Sequence, residues 1–128
     1  MATKNELIDG EEIEQHTRKF QRELNSGTVS LVLLSILEHA KTPLYGYEIT
    51  KQLQQKNDGK QGAIYPVLRN LHARNLINCE VKISVTGPPR KYFTISMLGK
   101  KVLKQWLISW QTTQSHVNKI ISGSFDNE

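Results

Sequence analysis

The chain has 128 residues, is 38% hydrophobic and 23% charged, and sets 17 Lys/Arg against 12 Asp/Glu for a formal charge of +5. That length suits one domain with room for a helical extension. The single cysteine excludes an intramolecular disulfide and a cysteine-based zinc cluster, and no apolar run approaches the roughly 18 residues of a membrane span.

The first segment expected, residues 1–25, is an acidic extension with four Lys/Arg and six Asp/Glu. Its opening, MATKNELIDGEEIEQH, lacks the apolar stretch of a signal peptide, so a cytoplasmic location is expected. Residues 1 to about 12 read as disordered. Ile13, Phe20 and Leu24 are sparse apolar positions in a charged, helix-like stretch. Ser26-Gly27 reads as an interruption. Beyond it Val29, Val32, Leu33, Ile36, Leu37 and Ala40 keep a 3.6-residue period, which predicts a mostly buried helix.

Thr42-Pro43 breaks that helix, and Leu44-Tyr45-Gly46-Tyr47-Glu48-Ile49 is expected to open the next. Tyr45, Ile49 and Leu53 would form its inward row. The polar segment Lys56 to Gly59 is of the kind that joins the two helices of a helix-turn-helix. Ile64, Val67, Leu68 and Leu71 then fall at i, i+3, i+4 and i+7, one face of a third helix. Pro66 is tolerated near the start of such a helix. Asn75 is expected to end it, because asparagine accepts the left-handed conformation of helix stops.

After that stop Ile77, Cys79, Val81, Ile83 and Val85 alternate with Asn78, Glu80, Lys82 and Ser84, which predicts a half-buried strand. Thr86 to Pro89 cannot continue it, since consecutive prolines donate nothing to a ladder. Lys91 to Ser96 is the returning strand. Helix, turn, helix and hairpin in that order describe a winged helix-turn-helix over residues 26–96. The class is mainly α with a small β-hairpin (α+β).

The last helix, residues 97–122, starts after a plausible N-cap at Ser96; residues 123–128 read as a disordered tail. Leu103, Leu107, Trp110, Gln114, Val117 and Ile121 are spaced 4, 3, 4, 3 and 4, a heptad row with one polar member. A second copy is the simplest cover for this stripe, and packing on the first helix of the same chain is the alternative. Residues 41–104 carry twelve Lys/Arg and three Asp/Glu, so the basic balance is concentrated where the helix and hairpin lie. Such a module attracts phosphate backbones, unless the lysines are simply solvated.

Several stretches together resemble the PadR family of transcriptional regulators. They are Ser26-Gly27-Thr28, Tyr45-Gly46-Tyr47-Glu48-Ile49, Gly62-Ala63-Ile64-Tyr65-Pro66-Val67-Leu68, Asn75-Leu76-Ile77, and Gly87 to Ser96 with Gly99. Asn75 stands where the family usually has glycine, and Phe93-Thr94-Ile95-Ser96 replaces a more usual Tyr-x-Leu-Thr. The single long C-terminal helix is similar to the small subgroup of that family. The resemblance implies a homodimeric repressor on a dyad-symmetric operator, in some relatives released by a ligand at the dimer core.

A recognition helix enters the major groove by its N-terminal part. Gln61, Ala63 and Arg69 are then candidates for base edges, with Gly62 allowing close approach of the backbone. Lys60 and Tyr65, together with Tyr45 and Tyr47, are candidates for phosphates, and Arg90 and Lys91 for backbone or minor groove. For Tyr45 and Tyr65 a core aromatic role is the alternative; for Arg69, Arg90 and Lys91 it is ordinary surface. Trp106 and Trp110 would wall a pocket for a planar aromatic effector, or simply pack. His16, His39, His72 and His116 have no ligand-spaced partner and Cys79 reads as a small core residue. Neither catalysis nor a cofactor is expected. A protein-interaction module and a sequence-neutral DNA-binding accessory protein are the competing readings.

Overall fold

The computed structural model describes residues 9–53 and 61–124. In chain order the elements are α1 (Gly10–His39), β1 (Leu44–Tyr45), α2 (Gly46–Leu53), α3 (Gln61–Ala73), β2 (Ile77–Lys82), β3 (Arg90–Ile95) and α4 (Met97–Ser122). The strands make one antiparallel sheet in the order β1-β3-β2. This is the expected class, a winged helix-turn-helix with a long C-terminal helix. Residues 10–12, expected to be disordered, instead form the first turn of α1; residues 1–8, the Lys56–Gly59 turn, Lys60 and most of the tail lie outside the described residues.

Three elements differ from expectation. First, α1 runs without a break through Ser26-Gly27. An interior glycine costs a helix only about 1 kcal/mol, and the Thr28 hydroxyl donates back to the Leu24 carbonyl at 3.0 Å, keeping the turn closed. The Asp9 side chain caps the start by accepting from the Glu11 amide at 3.0 Å. Second, Leu44 and Tyr45 open no helix. They pair with Phe93 and Tyr92 as the edge strand β1. Helix α2 begins one residue later, with the Tyr45 amide donating to Glu48 Oε1 at 3.1 Å, half of a capping box. Third, β2 ends at Lys82, opposite Arg90. Ile83 and Val85 continue the apolar alternation in sequence yet are 87% and 101% exposed.

The core is one cluster. Leu33, Leu34 and Leu37 of α1 meet Ile49 of α2, Ile64, Leu68 and Leu71 of α3, Leu44, Ile77 and Phe93 of the sheet, Leu76, and Leu103 of α4. Asn75, with φ of 63°, ends α3 in the left-handed conformation. Ser96 then fastens that corner to α4. Its hydroxyl donates to the Asn75 carbonyl at 2.7 Å and accepts from the Gly99 amide at 2.9 Å, while its own amide donates to the Leu76 carbonyl at 3.1 Å. Only the C-terminal third of α1 and the first turns of α4 reach the core, so the other ends of both helices stand clear of it. Among the described residues no helix is long and apolar enough to cross a membrane.

Candidate nucleic-acid interface

Helix α3 buries Ile64, Leu68 and Leu71 and turns Pro66, Arg69 and Asn70 to solvent. Arg69 is therefore on an open face, as its spacing from the buried row requires. Gln61, Gly62 and Ala63 lie in the first turn of α3. Tyr65 is half-buried and packs on the core cluster. A Cβ on Gly46 would overlap its hydroxyl, so the ring closes against the start of α2. Tyr65 thus sets the approach of the two helices in the helix-turn-helix.

The sheet adds a group that the sequence reading missed. Tyr45 of β1 sits beside Tyr92 of β3, edge-on with centroids 5.6 Å apart, and is stacked with Tyr47 at 6.2 Å. Cations cover the three rings. The Arg90 guanidinium lies 4.5 Å from the Tyr45 centroid, Lys82 Nζ 5.1 Å from that of Tyr92, and Lys51 Nζ 5.6 Å from that of Tyr47. Lys51, Lys82 and Tyr92 therefore join Tyr45, Tyr47 and Arg90 in one basic, aromatic surface. The signal was hidden because Tyr45 and Tyr92 become neighbours only through β1, and a two-residue strand has no periodicity to read.

Arg90 and Lys91 fall on opposite faces of the sheet, as successive strand residues must. Lys91 shares the face of buried Phe93 and pairs with Val81; Arg90 shares the face of Tyr92 and pairs with Lys82. Lysine at rest over a ring keeps its charge available, since a cation–π contact is worth only ~0.5–1 kcal/mol at an exposed site. From Val81 to Lys91 the wing contains three basic residues and no acidic one. A phosphate backbone can approach that outer part of the hairpin without meeting a like charge, Glu80 lying nearer the core opposite Tyr92.

On α4 the heptad row divides. Leu103 is 4% exposed within this chain's own core, which corrects its expected place in a contact between copies: it has no face left to offer. Leu107, Trp110, Gln114, Val117 and Ile121 are exposed. Trp106 is half-buried with the Arg74 guanidinium 5.8 Å from its centroid. Trp110 lines two open hollows against α1. One, of about 650 Å³, includes Leu24, Val32, Ile36 and Leu107; the other, of about 560 Å³, includes Leu24, Leu31, Arg74 and Trp106. Among the described residues no group of His, Cys, Asp and Glu could hold a metal ion.

A family model described as the transcriptional regulator PadR-like family matches residues 33–105. The chain is similar to a PadR family regulator from Eggerthella lenta, at 26% identity and a TM-score of 0.78, covering 88% of this chain and 97% of that one. It is similar to a PadR-like regulator from Bacillus cereus, at 29% identity and a TM-score of 0.64, covering 77% and 96% respectively. Bacillus subtilis PadR in complex with operator DNA matches at 32% identity and a TM-score of 0.54, over 62% of this chain and 46% of that one.

Proposed function

The chain belongs to the PadR-like family of DNA-binding transcriptional regulators, which is not a family of enzymes, and on that premise we propose a homodimeric, cytoplasmic repressor of a dyad-symmetric operator. The observation that carries this reading is the solvent-facing side of α3 together with a wing whose outer part, Lys82 to Lys91, carries three basic residues and no acidic one. The first turn of α3, with Gln61 and Ala63, enters the major groove, and Arg69 reads a guanine edge. Lys91, Lys60, Tyr47 and the cations stacked on Tyr45 and Tyr92 hold phosphates and fix the register. That Bacillus subtilis PadR binds operator DNA supports duplex DNA as the partner.

The exposed row Leu107, Trp110, Val117 and Ile121 joins two chains, with Ile13, Phe20 and Leu24 of α1 as further uncovered apolar surface. Across such a dyad, two copies of Trp110 would wall the α1–α4 hollows and hold a planar aromatic effector by stacking. Titration with planar aromatic compounds should quench tryptophan fluorescence; absence of quenching by all of them removes the pocket.

Two variants test the division between reading and holding. Arg69→Ala should cost about 1–3 kcal/mol at one base pair and relax specificity there. Lys91→Ala should weaken operator and random duplex alike. Equal losses for both variants on both duplexes would make the binding sequence-neutral and overturn the proposal.

A further inference from the structure

The wing does not end as a basic finger. Beyond the last strand pair, Lys82 with Arg90, seven residues form its tip: Ile83-Ser84-Val85-Thr86-Gly87-Pro88-Pro89. Ile83 and Val85 are almost fully open to solvent, and Val81 below them is 57% exposed. None of the described residues covers them, although the same alternating row is buried at Ile77 and half-buried at Cys79. The row is thus continued past the edge of the core. Solubility would favour the opposite, polar residues at an exposed hairpin tip. Pro88 and Pro89 add backbone that donates no hydrogen bonds, so this arm of the tip has little to lose on leaving water.

We propose that the wing tip is an apolar wedge for the minor groove, with Val85 nearest its apex and Ile83 and the two prolines behind it. This rests on the DNA-binding reading above and deepens it. Charge complementarity selects the occupant: Lys82, Arg90 and Lys91 ring the base of the tip with no carboxylate between them. Those cations hold the phosphate walls while the apolar tip reaches between them. A minor groove about 6 Å wide admits the narrow tip but not the full width of the hairpin below it. Isoleucine and proline are among the side chains that enter base steps there and kink the duplex toward the major groove. The steps that yield most easily are pyrimidine–purine steps such as TA and CA. The wing therefore contributes specificity through deformability, at positions where α3 makes no base contact.

The test uses the full-length protein and a pool of random-sequence duplexes. Sequences selected by the wild type should show an α3-read core plus a flanking pyrimidine–purine preference, and mobility with circularly permuted sites should report a bend. The double variant Ile83→Ser/Val85→Ser, at positions too exposed to affect folding, should bind a selected duplex about tenfold more weakly, within the range of losing one base-pair discrimination. It should keep the α3 core preference and the log–log salt slope, and lose the flanking preference and the bend. Unchanged affinity, flank and bend would overturn the wedge while leaving α3 recognition standing. Altered sedimentation with unaltered DNA binding would assign the tip to a second copy of the chain and overturn it as well. Failure of the wild type to select any sequence would overturn the parent reading, and the wedge with it.

Discussion

Gly46 and Gly99 are the residues where one added carbon would be felt most. At Gly99 a Cβ would run into the Leu76 carbonyl and the Ile95 side chain; at Gly46 it would meet the Tyr65 hydroxyl. A backbone carbonyl cannot step aside, whereas a tyrosine ring can turn. Gly99→Ala should therefore lower urea stability more than Gly46→Ala, the latter by about 1–3 kcal/mol, the usual range for overpacking. Gly46→Ala should in addition weaken DNA binding, because it changes the approach of α3 to α2. Asn75 presents a different constraint, a backbone one. Asn75→Ala should cost about 1–2 kcal/mol for a left-handed alanine, and Asn75→Gly should cost nothing measurable in the same urea titration. The stop at Asn75 was legible because it depends on local backbone preference. The Gly46–Tyr65 contact was not, because it joins residues nineteen apart in sequence through a fold that no local pattern encodes.

Among elements, those with a long buried face were the readable ones. Ile64, Leu68 and Leu71 announced α3, and the Ser96 cap marked the start of α4 correctly. Ser96→Ala should cost at least about 1 kcal/mol in thermal or urea unfolding, the value of a lost cap, since the same hydroxyl also holds the Asn75 carbonyl. The errors have a common origin. Strand β2 stops where its partner starts, at the Lys82–Arg90 pair, and not where the apolar alternation stops. Strand β1 exists only because β3 offers it an edge. Helix α1 passes through Ser26-Gly27 because the packing of Leu33, Leu34 and Leu37 and the cap at Asp9 outweigh one glycine. In each case a tertiary partner decided the boundary.

The whole molecule combines a basic, aromatic surface with exposed apolar residues on the far ends of α1 and α4, among them Phe20, Leu24, Val117 and Ile121. Leu103 and Val117 occupy the same heptad row yet belong to different contacts, so their substitutions should separate. Leu103→Ala should lower unfolding stability by about 2–5 kcal/mol. Val117→Asp should leave far-UV circular dichroism intact and shift sedimentation toward the monomer. The direct test of the central proposal is anisotropy titration of a labelled duplex carrying the chain's own upstream sequence, against random duplex, over a salt series. Two chains holding about four phosphates each would give a log–log salt slope near −7 for binding, at ~0.9 per phosphate. Two chains per duplex, that slope, and clear preference for the upstream sequence are expected. One chain per duplex, or equal affinity for both sequences, would contradict a dimeric operator-binding regulator.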